Sequence, residues 1–293
     1  MLKNRLQKAK LIKTSVVEKV LELTTSYPDE SFVVITLDSL RYDVAACAKT
    51  KNLKRLFKFA ESVKWVKVGS HGTYTLPSHI SMFHSGAFPC DNRKHIKAPF
   101  NRIKKRLFKA QLAWNRTEKA IFPTPPAENI VKGFEKLGYR TIGIGGVYWF
   151  SPDFESSKVW SKYYFKEFYW DAKFTPDNFK SLEYQIELLK KLKLDKESKP
   201  IFLFINISVT HEPYLGFGKS KEGQAKALGQ FDKKLPEIIK YLPKEFHLLI
   251  LSDHGDCFGE DGLWGHGFYH PKVMEVPFNY IHVTANVKNS LSH

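Results

Sequence analysis

The chain predicts an α/β fold: a three-layer sandwich with a mostly parallel central sheet and helices on both faces. Two observations carry this. The runs FVVITL, IFLFINIS and FHLLILSD are apolar throughout, as strands covered on both faces must be, and helical patterns alternate with them. Asp38, His211, Asp253 and His254 follow those runs, at the carboxyl ends of strands, where open α/β sheets bind their ligands.

Taken in order, Leu11 to Leu23 reads as an amphipathic helix, and FVVITL as a buried strand ending at Asp38. VKWVKV (Val63 to Val68) alternates and predicts a short strand. A helix is expected after Pro77, with Gly86 as its stop. Residues 90–128 are basic. Phe100, Ile103, Leu107, Ala110 and Trp114 fall on one face of a candidate helix there, a pattern for packing on the domain rather than for gripping a nucleic acid or membrane surface. Asn129 to Leu137 predicts a helix closed by Gly138, and YRTIGIGG a strand. Residues 148–174 are crowded with aromatics, which suit core and lid packing or the wall of a cleft. Phe179 to Leu192 is amphipathic. Ile201 to Ser208 is a strand, Ala225 to Leu242 a helix expected to restart at Pro236, and FNYIHV the last strand.

The 293 residues suit a single domain, with an N-terminal helical extension over 1–30 and a basic insertion over 90–128. A hydrophobic fraction of 43% is enough for a sizeable core. The formal charge of +16 favours an anionic partner, whether phosphate ester, nucleic acid or anionic lipid, and does not choose among them; an anionic small-molecule or peptide substrate is the expected partner. Three cysteines without CxxC spacing argue against a disulfide framework or a zinc knuckle. The basic N-terminus lacks a continuous apolar core, so a secretory signal is not expected and the default location is the cytoplasm.

Two stretches concentrate reactive side chains: SHGTYTLPSHISMFHSG (Ser70 to Gly86) and SDHGDCFGEDGLWGHGFYH (Ser252 to His270). A hydroxyl is a weak nucleophile until a divalent metal stabilises its alkoxide. Thr75, at a turn before a helix, is the candidate hydroxyl. Asp38, Asp253 and His254 offer the carboxylate and imidazole ligands such a metal needs. A site of this kind suits transfer of a phosphoryl or sulfuryl group. The histidine content favours zinc; manganese and calcium are the alternatives.

The order and wording of these motifs resemble the alkaline phosphatase superfamily, in particular its sulfatase-like and phosphodiesterase-like branches. VVITLDSLRYD resembles the first metal-binding strand, TLPSH the nucleophile turn, and INISVTHEPY the histidine-before-proline turn. LLILSDHGDCFGEDGLWGHGFYHPKVMEVPF resembles the segment with the Asp-His metal pair. The resemblance implies Thr75 as nucleophile and a first site of Asp38, Thr75, Asp253 and His254. It also implies a second site drawing on His211, His266 and His270, and substrate contact by His79. It implies further that the usual C-terminal subdomain is largely absent, since the chain ends soon after VPF.

The departures sharpen the expectation. Threonine cannot mature to formylglycine, so ordinary sulfatase chemistry is disfavoured. Ser39 stands where sulfatases carry a second aspartate, and the turn N-I-S-V-T-H lacks the aspartate of the D-x-x-x-H pair of two-zinc relatives. One tight metal is therefore expected. The leading expectation is a metal-dependent hydrolase or transferase acting on a phosphate ester, diester or phosphonate, with His211 or His266 assisting the leaving group. The rivals are a sulfatase-like hydrolase without formylglycine, a tailoring enzyme on a peptide or metabolite, and a silent binding module.

Overall fold

The computed structural model describes residues 29–84, 107–111, 119–123 and 129–291. The calls on Leu11 to Leu23 and on most of the basic insertion lie outside them.

A seven-stranded sheet runs through the centre. Its strands are β1 (Ser31–Leu37), β2 (Val66–Gly69), β5 (Arg140–Ile144), β6 (Glu167–Tyr169), β7 (Ile201–Ile207), β8 (Phe246–Leu251) and β11 (Glu275–Val283), in the order β2-β11-β8-β1-β7-β5-β6. β8, β1, β7, β5 and β6 are mutually parallel, and β11 is antiparallel to both its neighbours, β8 and β2; β9 (Cys257–Phe258) and β10 (Trp264–Gly265) form a separate antiparallel pair. The final strand is longer than FNYIHV and begins at Glu275.

The apolar runs are explained by two cores. Val33, Ile35 and Leu37 of β1 face one side with Leu203 and Ile205 of β7 and Leu248 and Ile250 of β8. They pack on the helices α1 (Tyr42–Cys47), α2 (Lys51–Leu56), α5 (Ser181–Leu192), α6 (Lys221–Tyr241) and α8 (Ala285–Leu291). Phe32 and Val34 face the other side with Phe202, Phe204, Leu249 and Leu251. There they meet α3 (Thr75–Phe83), α4 (Ile130–Lys136) and the aromatic segment. Both faces of β1, β7 and β8 are buried, which is why polar alternation is missing from their sequences.

The aromatic segment divides its labour. Phe150, Trp160 and Phe165 are in the second core, whereas Tyr148 and Trp149 reach a surface cleft.

Three expectations are corrected. Residues Leu107–Gln111, assigned above to a helix, form a strand (β3) paired antiparallel with Lys119–Pro123 (β4); partner-strand bonds replace intrahelical ones. The helix expected after Pro77 starts earlier, at Thr75, because the first turn needs no proline N–H. Pro236 does not restart a helix but lies inside continuous α6. A proline leaves the carbonyl four residues earlier without its helical donor. That carbonyl belongs to Asp232, and Asn52 Nδ2 donates to it at 2.7 Å. The Asp232 carboxylate in turn accepts from the Asn52 and Leu53 N–H groups that open α2.

Candidate metal centre and cleft

β1 delivers Asp38, β8 delivers Asp253 and His254, and the start of α3 delivers Thr75. All four are 0–1% exposed. Ligand atoms of Asp38, Asp253 and His254 lie within 4.8 Å of one another. Thr75 Oγ1 is 3.4 Å from both Asp38 Oδ2 and His254 Nε2. His254 Nε2 is 3.4 Å from Asp253 Oδ2 and 3.8 Å from Asp38 Oδ1.

Backbone geometry sets these positions. Ser39 adopts a left-handed φ of 62°, and its N–H reaches Asp253 Oδ1 at 3.1 Å. The His254 N–H reaches the same oxygen at 3.0 Å. Gly255 is required by close approach: a Cβ there would lie 2.1 Å from the Lys272 carbonyl oxygen. Asn206 Nδ2, at the end of β7, donates to Asp38 Oδ2 at 2.9 Å.

The electrostatics call for a cation. Asp253 Oδ2 is buried and has no hydrogen-bond partner. Burial and the neighbouring Asp38 charge push the Asp253 carboxyl well above its usual range. Burial alone would also raise Asp38, but His211, His254 and the Asn206 bond together hold it below its ordinary value. Burial, aided by His266, pushes His254 down to about 3, so its imidazole is neutral with a lone pair available. Two buried carboxylates and a neutral imidazole are the donor set of a divalent cation, and the residues present therefore fit one.

His266 and His211 stand beside this cluster. The His254 and His266 ring centroids are 4.4 Å apart, and those of His211 and His266 5.5 Å. His266 Nδ1 lies 2.7 Å from Asp256 Oδ1. Burial opposes the charge on His266, yet the Asp256 carboxylate outweighs it and raises the histidine above its ordinary value. The Tyr214 hydroxyl donates to the other Asp256 oxygen. Arg41, fully buried, donates to the Asp256 carbonyl at 3.2 Å and pairs with Asp43 and Glu260, each at 2.7 Å. The Gly267 N–H bonds the Thr73 carbonyl at 2.8 Å, tying the WGHG loop to the nucleophile turn.

Two predicted residues have other roles, although His79 Nδ1 lies only 3.7 Å from Asp253 Oδ2. His79 is fully buried, against Phe150 and Phe204. Its Nδ1 donates to the Thr75 carbonyl at 2.7 Å, which leaves Nε2 to accept from Thr36 Oγ1 at 3.1 Å. Both nitrogens are thus committed within the core, where they hold the turn that carries Thr75, and neither is left to touch a substrate. His270 caps α7 (Pro271–Met274): its Nδ1 accepts from the Lys272 N–H, and Nε2 lies 3.3 Å from Asp261. It is not in the cluster of His211, His254 and His266.

Sequence reasoning missed Asp256 and Asn206. The signal for Asp256 was its place in SDHGD, one residue beyond the motif; Asn206 looked like a lone polar residue in an apolar strand.

A cleft of about 460 Å³ opens beside this cluster, lined by Tyr148, Trp149, Asp177, His211, Glu212 and His266 among others. Its charged walls are acidic, so the chain's excess positive charge is not concentrated there.

A mixed sheet of this order, with a carboxylate ending β1, a hydroxyl opening a helix and an Asp-His pair after β8, defines a member of the alkaline phosphatase superfamily. Within it, the chain belongs to the type I phosphodiesterase / nucleotide pyrophosphatase family, whose model matches residues 32–257. It is similar to the phosphopentomutase of Deinococcus radiodurans, at 25% identity over 183 residues, 62% of this chain and 41% of that protein. A Clostridium kluyveri phosphopentomutase is 23% identical over 231 residues, 79% of this chain and 47% of its own length. The chain thus spans less than half the length of these curated relatives. Among solved structures, the fold is similar to a putative sulfatase from Bacteroides thetaiotaomicron: TM-score 0.56, 11% identity, 86% of this chain and 64% of that one. It is also similar to the C-terminal periplasmic domain of a phosphoethanolamine transferase from Campylobacter jejuni: TM-score 0.52, 16% identity, 89% and 81% covered. No helix among the described residues is long and apolar enough to cross a membrane.

Proposed function

We propose that the chain transfers a phosphoryl group from a phosphate ester, diester or phosphonate through Thr75. The observation that carries this reading is the place of Thr75 Oγ1, 3.4 Å from Asp38 and from His254, at the first residue of a helix. Asp38, Asp253 and His254 would hold a divalent cation, zinc by donor type, whose charge would lower the pKa of that hydroxyl and offset the charge of the transferred group. Thr75 Oγ1, its proton released to solvent, forms the new bond to phosphorus as the bond to the ester oxygen breaks. Its N-terminal position on α3 turns backbone N–H groups toward the transferred oxygens. His266, with Nδ1 committed to Asp256, offers Nε2 to protonate the departing oxygen. His211 lines the same cleft. A tight second metal beside Thr75 is not favoured, because Asp256 is already occupied by His266 and Tyr214. Water or a second alcohol then takes the group from Thr75.

The cleft supports an anionic ester whose alcohol part carries an apolar or ring face against Tyr148 and Trp149, with hydroxyl or amino groups toward Asp177 and Glu212. Similarity to phosphopentomutases favours a phosphosugar, with return of the group to the same molecule as the second reading.

The test is acid-quenched mass spectrometry of metal-replete protein after exposure to aryl phosphate, aryl phosphodiester and aryl sulfate. Phosphorylated Thr75 is expected, absent from Thr75→Ala. Turnover by Thr75→Ala at the wild-type rate overturns the covalent route, and a sulfated residue with no phosphorylated one selects the sulfatase-like rival.

A further inference from the structure

A second cluster of ligand atoms lies at the opposite end of the sheet. Glu30 immediately precedes β1, His247 is the second residue of β8, and His282 sits across from it on β11 in direct register. Asp38 stands at the other end of β1, about 26 Å away at ~3.3 Å per residue. The two clusters therefore share no ligand.

We propose that Glu30, His247 and His282 form a second divalent-metal site, most suited to zinc, that clips three strands together. The geometry is convergent. Glu30 Oε2 lies 3.0 Å from His247 Nε2 and 2.8 Å from His282 Nε2. All three atoms are shielded from solvent. Ligands on a tetrahedral zinc, with bonds of about 2.0–2.1 Å, stand roughly 3.3 Å apart, so an opening of a few tenths of an ångström admits the ion.

The rings are held for this task. His247 and His282 stack with centroids 4.6 Å apart and planes 14° apart. Phe32 stacks on the other face of His247 at 4.8 Å. His247 Nδ1 lies 2.8 Å from the Tyr280 hydroxyl, an outer contact of the kind that sets the tautomer of a metal-bound imidazole. Two stacked imidazolium rings would repel each other, and a single carboxylate neutralises only one of them. Two neutral rings and a carboxylate match a borderline divalent ion instead. Partial exposure of the Glu30 and His282 side chains leaves room for water as the fourth ligand. The competing occupant is a proton shared between carboxylate and imidazole, and the experiment separates the two.

Zinc per chain is to be measured by elemental analysis on the full chain after dialysis at pH 7.5, with cobalt(II) absorption as a second readout. Four proteins are compared: wild type, His282→Gln, Asp253→Asn/His254→Ala, and all three changes together. His282→Gln is expected to lose one equivalent while keeping wild-type turnover. The double variant should keep that equivalent, with a tetrahedral cobalt spectrum, and the triple variant should lose it. Glu30→Gln should repeat the loss, and His282→Cys, which supplies another zinc ligand, should restore it. Equal metal in wild type and His282→Gln, or a metal-free double variant, overturns the site. A double variant that loses nothing beside a His282→Gln that loses one equivalent condemns the Asp38 centre and leaves this one standing.

Discussion

His266 Nδ1 lies 2.7 Å from Asp256 Oδ1, and the opposite oxygen of the same carboxylate receives the Tyr214 hydroxyl. Asp256 therefore fixes the ring rather than offering itself to substrate. It holds His266 in the tautomer that presents Nε2 to the cleft and raises its pKa. Asp256→Asn keeps the shape and removes the charge. Turnover is expected to fall by roughly 10–100-fold. The limb of the pH–rate profile that reports the acid should move to lower pH, with metal content unchanged. A profile that keeps its wild-type position would mean that His266 is not the titrating acid.

Asp253 predicts a trade between binding and folding. Its buried Oδ2 has no hydrogen-bond partner, and its carboxyl is pushed upward by burial and by Asp38. The charge is a burden to the metal-free protein and a ligand to the metal-loaded one. Asp253→Asn retains an oxygen for the Ser39 and His254 N–H groups. In chelator the variant should unfold at higher denaturant, by about 1–3 kcal/mol. In metal it should gain nothing, and activity should vanish. Thermal melts with and without metal check both halves; destabilisation in chelator would refute the account.

The proline-containing helix α6 offers a test by double substitution. Asn52 Nδ2 satisfies the Asp232 carbonyl that Pro236 leaves without a donor. Asn52→Ala should cost about 1–2 kcal/mol in urea unfolding. Pro236→Ala restores a backbone N–H to that carbonyl, so Asn52→Ala on this background should cost roughly 1 kcal/mol less. Simple additivity would show that the two groups are independent.

How much of this was legible follows from what each signal depends on. The sheet was legible because β1, β7 and β8 are buried on both faces, and burial writes itself directly into composition. The candidate cluster was legible because Asp38, Asp253 and His254 sit where apolar runs stop. The hairpin at Leu107–Gln111 was not, since its apolar spacing fits a helix and only a partner strand decides. The continuity of α6 was not, because the group that tolerates Pro236 is Asn52, far away in sequence. His79 looked like a substrate residue beside Thr75, but helical spacing from Thr75 carries it under the nucleophile, into the aromatic core. Asp256 acts only through His266, and such pairings exist only in the folded chain.

His79 gives the pH prediction. Burial among Phe150 and Phe204 pushes its pKa down to about 4, from an ordinary value of 6.5. A histidine with a depressed folded-state pKa is neutral in the folded chain while the unfolded chain already binds a proton. Between pH 6.5 and pH 4 the unfolded state therefore holds more protons, and stability falls as pH drops through that window. The full shift corresponds to about 3 kcal/mol at the acid end. His79→Gln keeps a donor for the Thr75 carbonyl and cannot titrate. Denaturant unfolding in chelator, at steps across this window, should show a shallower acid loss for the variant than for the wild type, by up to about that amount. The difference between the two proteins cancels the opposing contribution of Asp253, whose raised pKa favours the folded state as pH falls. Parallel curves for wild type and His79→Gln would show that the ring is not held neutral in the fold. The variant should also bind metal normally yet turn over more slowly, because the Thr75 backbone would lose its anchor without losing a ligand.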